Sequence, residues 1–396
     1  MRGIVMNEKL QIAFGLLGGL AIFIYGMNMM SECLQKAAGE KMKSILALLT
    51  KNPLLGVLAG AVTTAVLQSS SATTVMAIGF VSAGLMSLPQ AISIIFGANI
   101  GTTMTAQIIA FKISDYIYII IFIGFIIAFV TKSEKIKSIG QTIFAFGLLF
   151  LGIETMGDVM KPLASSPFFL DLMGKVTHVP VLGVLLGMAM TLVVQSSSAT
   201  IAVLQNFASQ AGPDGVSSVI GLTGAIPILL GDNIGTTITA LLASIGQSKN
   251  AKRTAVAHSI FNITGSIVFL CLIPVLASFV RFISPKGNEI NVISRQIANA
   301  HTTFNVVCAL VWLPLLPVMV KIVTFLIKGN DRVEEAAYKP KFLDEHVISQ
   351  PVAAMCLVSK EIIGLSETAK EMLASLNAYV AKKEPEAAYE KFVSSH

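Results

Sequence analysis

Two stretches of this chain carry the same run of uncharged polar residues inside apolar sequence: Gln68-Ser69-Ser70-Ser71 and Gln195-Ser196-Ser197-Ser198. Without charge, amides and hydroxyls hold an ion only through dipoles and hydrogen bonds, and they do so best where helices end. A helix N-terminus presents unpaired N–H groups and about half a positive charge. A half-helix starting just after each run would therefore aim amides and serine hydroxyls at an anion with no help from Lys or Arg. No basic residue lies inside these segments. An isolated serine triplet reads as ordinary small packing residues of a membrane helix. Eight matched positions, each run with a threonine four residues before its glutamine (Thr64, Thr191), favour the anion site.

A second doubled pattern suits a cation. Asn99 precedes Gly101-Thr102-Thr103, and Asn233 precedes Gly235-Thr236-Thr237. Carbonyl and hydroxyl oxygens beside a helix-opening glycine are hard neutral ligands of the kind sodium accepts, and helix packing through Gly is the plainer alternative. The candidate sodium ligands are Thr64, Asn99, Thr103, Thr191, Asp232, Asn233 and Thr237. Asp232 breaks the symmetry, since its counterpart is Ala98; an ionisable residue at membrane depth is a functional candidate by default, here as cation ligand or proton acceptor. Glu154 and Asp158, beside Lys161, read as interfacial. His258 with Asn262 and His301 with Asn305 repeat the pattern AHxxFN; the i,i+4 spacing puts each pair on one helical face, and a hydrogen bond between helices is preferred over a direct ligand role. No locally supported Ser/His/Asp set and no phosphate-cradling GxxxxGK[ST] loop occurs, so no enzymatic reaction is expected. Cys33, Cys271, Cys308 and Cys356 have no metal spacing and read as small buried residues.

The elements that must position these groups follow from composition and repetition. Hydrophobic residues make up 54% of the 396 and charged residues 13%, against about 25% charged in a soluble domain. From Asp331 onward, 66 residues hold 8 Lys and Arg and 11 Asp and Glu; the first 330 keep 31 charges and a net of +9. That is the composition of an all-α polytopic membrane protein with basic loops, and the scatter of the basic residues between apolar segments argues against nucleic acid. Val57–Thr74 returns as Val184–Ile201 at an offset of 127, and Gly97–Ala106 as Gly231–Ala240 at 134. Upstream, Phe14–Met30 resembles Phe144–Met160, with Gly26 matching Gly157. The second copy of the first apolar run argues against its removal as a signal peptide.

Each unit therefore reads as a spanning helix, a basic or mixed stretch, the QSSS segment, the NIGTT helix and one more spanning helix ending near Val130 or Val280. Pro53–Leu67 is 15 residues, about 22 Å of helix against a hydrocarbon core of roughly 30 Å. Two such short helices around a polar tip suit a re-entrant hairpin, with non-helical backbone sheltered by protein or a cavity. The predicted layout is repeat 1 over 10–133 with its hairpin at 52–87, repeat 2 over 137–282 with its hairpin at 179–212, an additional crossing at 294–328 and a soluble helical tail at 331–396. Three crossings per unit invert the second copy. Seven crossings place thirteen Lys and Arg on one side and eight on the other, which makes the richer side and the tail cytoplasmic. Pro314 and Pro317 could break the last helix. The tail has a helical apolar stripe over Ala354, Leu357, Val358, Leu365, Ala369, Met372, Leu376 and Tyr379 that needs partner helices.

With QSSSATT, QSSSATI, GANIGTT, GDNIGTT and AHSIFN in hand, the sequence resembles the type II sodium/phosphate cotransporter family in its bacterial form, from roughly Leu10 to Ile327. The resemblance implies inverted repeats, phosphate held between the two QSSS tips, and sodium as coupling ion on neighbouring Ser, Thr, Gln and Asn oxygens. It makes the tail similar to the start of a PhoU-like region, cut short. One departure is FKISDYIYII after the first NIGTT helix, which lacks the acidic residue associated with electrogenic transport; Asp115 is no substitute. The expected protein is a symporter of inorganic phosphate in the cell (inner) membrane, multi-pass, with the bilayer, phosphate and sodium as partners. A homo-oligomer and a cytoplasmic partner of the tail stay open. Alternatives are a symporter of another oxyanion such as sulfate and a non-transporting sensor or scaffold.

Overall fold

The computed structural model describes residues 8–38, 52–111, 113–164, 167–212, 214–329, 342, 347 and 351–380. Its elements are helices, with one isolated bridge between Ala211 and Ser218 among the described residues. In chain order they are α1 (Glu8–Ala38), α2 (Pro53–Leu67), α3 (Ser70–Ser82), α4 (Leu88–Ile109), a 3-10 turn (Ser114–Tyr116), α5 (Ile117–Val130), α6 (Glu134–Ala164), α7 (Pro167–His178), α8 (Pro180–Val194), α9 (Ser197–Ala208), α10 (Gly221–Ala243), α11 (Lys249–Cys271), α12 (Ile273–Ile283), α13 (Glu289–Trp312), α14 (Leu316–Leu326) and α15 (Pro351–Val380).

Burial runs opposite to that of a soluble protein. Phe122 and Phe129 on α5 are 63% and 78% exposed, while Asp232, Asn262 and Asn305 are fully buried. A broad apolar exterior around a polar interior fits a hydrocarbon solvent. Five described helices are long and apolar enough to cross a bilayer, or six if α13 and α14 are one span. The chain is a multi-pass membrane protein. Two expected crossings differ from the sequence reading. The run ending near Val280 breaks at Leu272, with Pro274 in the first turn of α12. The run 297–327 breaks before α14 and bends by 85°, because Pro314 and Pro317 lack the N–H that would continue the ladder. With its 3-10 turn, α5 reaches only 17 residues, so the count of seven rests on a short crossing there.

The two copies are built alike. α1 lies along α6; α2 lies along α4, and α8 along α10. Small residues let backbones touch at these crossings. A β-carbon on Gly60 would run into Ile94 O, and one on Gly97 into Val57 O; in the second copy Gly187 meets Ile228 O and Gly231 meets Val184 O. α3 leans on α10, and α9 on α4, so each copy's second half-helix touches the other copy's long helix. The AHxxFN helices complete the pattern: α11 packs on both α10 and α4, and α13 on both α4 and α10. In these contacts α13, rather than α5, is the counterpart of α11.

Polar contacts gather at two ends. At one, Ser82 donates to Gln247 (2.5 Å) and Arg253 donates to the carbonyls of Ile327 and Gly329. Val347, Ala353 and Leu357 of the tail share an apolar cluster with Phe80, Val81 and Met86 beside that end. At the other, Ser218 N donates to Glu289 (3.0 Å), and Gln107 bonds Arg295, Asn299 and Thr302. Of the expected tail stripe, Leu357 is buried and Val358, Leu365 and Ala369 are exposed. Met372, Leu376 and Tyr379, Lys41, Lys43, Lys51, Lys112 and most of 331–396 lie outside the described side chains.

Candidate functional site

Each QSSS run is a helix break with the same local cause. α2 ends at Leu67 and Gln68 turns left-handed (φ 52°); Ser69 is extended and its hydroxyl accepts from Ala72 N, starting α3. In the second copy Gln195 has φ 56°, and Ser196 caps α9 through Ala199 N. Serine is a preferred N-cap. Glutamine at positive φ is uncommon and costs about 1 kcal/mol or more. These two glutamines are the only described non-glycine residues there. Backbone strain repeated at matched positions marks a site that the surrounding packing holds for a purpose.

Behind each tip a pair of threonines ties the half-helices together. Thr64 donates to Thr73 at 2.8 Å, and Thr191 lies 3.2 Å from Thr200. The second copy adds Asp232, whose Oδ1 accepts from Thr191 at 2.5 Å and whose Oδ2 is buried without a partner. The tips also differ in docking. Gln68 accepts from Thr105 (3.0 Å) and Ser70 donates to Thr102 (3.4 Å), holding the first tip on α4. Gln195 is exposed, and its side chain donates to Leu192 O of its own helix (2.7 Å). Among the described residues no hydrogen bond joins one tip to the other.

The asparagines stand one layer away. Asn99 Oδ1 is 3.3 Å from His258 Nε2 and 3.5 Å from Asn262 Nδ2; Asn233 Oδ1 is 3.1 Å from His301 Nε2. The oxygen accepts, so each ring nitrogen facing it carries the proton. The AHxxFN motif is thus an interhelical tie, as its spacing suggests; it engages both lone pairs of Asn99 Oδ1 and one of Asn233 Oδ1, the asparagine oxygens expected as cation ligands. Thr103 and Thr237 donate back to Ile100 O and Ile234 O at 2.8 Å, keeping their acceptor lone pairs. Thr73, Thr105 and Thr200 join the site without having been singled out. The i,i+3 spacing of Thr102 and Thr105 on one helical face was the available signal.

The family model described as Na+/Pi-cotransporter matches this chain twice, over residues 22–158 and 157–299. An uncharacterized protein of Bacillus subtilis, YqeW, is 35% identical over 266 residues, which cover 67% of this chain and 84% of that protein. The putative inorganic phosphate export protein YjbB of Escherichia coli K12 is 25% identical over 362 residues, 91% of this chain but 64% of that protein. A sodium-dependent phosphate transport protein 2A from Rattus norvegicus is 36% identical over 97 residues, 24% of this chain and 15% of that protein. No solved structure matches.

Proposed function

The chain belongs to the Na+/Pi-cotransporter family, and from that premise we propose that it is a sodium-coupled transporter of inorganic phosphate. Phosphate binds between Gln68, Ser69, Ser70 and Ser71 of one tip and Gln195, Ser196, Ser197 and Ser198 of the other. Sodium is held by Thr64, Thr191 and Asp232, with Asn99, Asn233, Thr103 and Thr237 behind them. The observation that carries the reading is the matched left-handed break at Gln68 and Gln195. It opens two half-helix N-termini in the middle of apolar segments, where an oxyanion can be desolvated onto amides and hydroxyls.

In this reading the two broken segments are re-entrant hairpins and the repeats, 10–133 and 137–282, are inverted. The sorting of polar contacts into two ends supports it. Following the chain through seven crossings puts Ser82, Gln247, Ile327 and the tail on one side, and Gln107, Ser218, Glu289 and Arg295 on the other, as their contacts do. The side carrying Lys249, Lys252, Arg253, Lys321 and Lys328 is the cytoplasmic one by the positive-inside rule. Alternating access then exposes the tips to either side in turn.

Purified protein in liposomes should accumulate radiolabelled phosphate when a sodium gradient is imposed, and the rate should collapse when choline replaces sodium. Competition by sulfate stronger than by arsenate would reassign the substrate. No flux in either orientation would favour a sensor whose tail meets soluble partners. The net direction follows from the same assay, with export being what the name of the Escherichia coli relative describes.

A further inference from the structure

A cavity of about 320 Å³ opens between α6 and α9, away from the tips. Glu154 and Gln205 both line it, and each keeps one buried oxygen, Oε2 and Oε1 respectively, with no hydrogen-bond partner. Gln205 is 1% exposed, and its amide cannot turn over to relieve the oxygen. Both of its N–H groups are engaged, with Ala106 O at 3.1 Å and Ser294 O at 3.0 Å. Two carbonyls from α4 and α13 therefore fix Oε1 as an acceptor. Asn206, whose Nδ2 donates to Ile153 O one residue before Glu154, pins α9 to α6 at this point. Buried oxygens left without donors call for a compensating group.

The chemistry suits one class of ligand. A carboxylate and a neutral amide on the wall of one cavity, each with an oxygen lacking a donor, repel an anion and offer an apolar molecule nothing. A divalent ion asks for more, since calcium takes about six to eight oxygens, usually with several carboxylates. The neighbouring carboxylate, Asp158, is 65% exposed and held by Lys161 at 2.8 Å. We propose that Glu154 and Gln205 bind a sodium ion in this vestibule, at the end of the molecule opposite the tail. The site is absent from the first copy. At the offsets of the repeat, Glu154 and Gln205 correspond to Phe23 and Ile78, both buried in apolar clusters. The ion site is thus one-sided, a loading point open at one face only, and it stands apart from the phosphate tips.

The test is sodium-22 binding to the purified full chain with no phosphate present, at constant ionic strength set with choline chloride. Glu154→Gln removes the charge while keeping the size of the side chain, so it should lose one sodium equivalent or weaken its binding at least 10-fold in a monodisperse preparation. Gln205→Met should weaken the same component, and Asp158→Asn should stay within 2-fold of the parent. Unchanged stoichiometry and affinity in Glu154→Gln would overturn the site. So would an equal loss in Asp158→Asn, which would reveal only a diffuse acidic surface. Because phosphate is absent, failure here leaves the transport reading standing, and failure of phosphate flux leaves this binding intact.

Discussion

The first tip is folded away and the second is not. Gln68 is buried and tied to α4 through Thr105, whereas Gln195, with nearly the same φ, faces outward and its side chain donates to its own helix. The outer ends differ in the same sense. Beyond the first tip, α3 presents Phe80 and Val81 to the apolar tail; beyond the second, α9 places Gln205 and Asn206 on the wall of the cavity beside α6. Near-identical hairpins thus sit in unlike surroundings. The break in each helix is a local property of QSSS. Docking is a property of what lies across from it, so one sequence motif rests in two different surroundings within one molecule.

The sharpest way to break this comparison is at the glutamines. Gln68→Ala and Gln195→Ala should each lower phosphate binding about 100-fold, roughly 2.7 kcal/mol. Only Gln68→Ala should also lower stability, by about 1–3 kcal/mol, since it alone leaves a buried partner unpaired. Thermal unfolding beside labelled-phosphate binding reads both. Full affinity in both variants would remove the tips as the site. Next come the glycines where the copies are alike. Gly60→Ala and Gly187→Ala push a β-carbon into Ile94 O and Ile228 O, and should cost about 1–3 kcal/mol each through the same overpacking. A large inequality would mean the two crossings are held differently.

The copies differ at one buried charge. Asp232→Ala makes the second copy resemble the first, and should move half-maximal sodium activation of phosphate uptake upward about 10-fold, near 1.4 kcal/mol. Asp232→Asn with unchanged ion coupling and pH dependence would take Asp232 out of the ion path. The smallest effect lies in the loop after α9. The Asp214 carboxyl accepts from the Ser217 hydroxyl and from the amides of Ser217 and Val216, which holds it below the usual aspartate range. A lowered carboxyl contributes order above its ordinary pKa and loses it as pH falls through the folded value. Amide protection in this loop, taken relative to the intrinsic exchange rate at each pH, should therefore stay level from pH 7 to 5 and fall only below about 4. Asp214→Asn should flatten that fall.

Much of the frame was legible in residues alone. Pro53 at a helix start, Leu67 at its end and the serine N-caps are local chemistry, so α2 and α8 end where the spacing places them. The His–Asn ties were half legible: i,i+4 spacing gives the face, and only the fold names Asn99 and Asn233 as the partners. The kinks at Pro274 and Pro314 were visible as residues but not as geometry, since proline in a membrane helix is tolerated wherever neighbours satisfy the freed carbonyls. Glu154 reads from sequence as an interfacial charge, and nothing in its own segment shows that α9 brings Gln205 to the same cavity.

The sequence by itself determined the membrane class, the duplication, the positions of both helix breaks and the absence of basic residues around them. Those depend on composition and on interactions within a turn or two of helix. Only the tertiary structure decided which tip is docked, that α13 is the partner of α11, and that Asp232 meets Thr191 while Ala98 leaves Thr64 to Thr73. Each of these depends on side chains brought together from distant stretches, 41 residues apart for Thr191 and Asp232. Burial and unsatisfied lone pairs are set by such neighbours, and periodicity along the chain does not encode them.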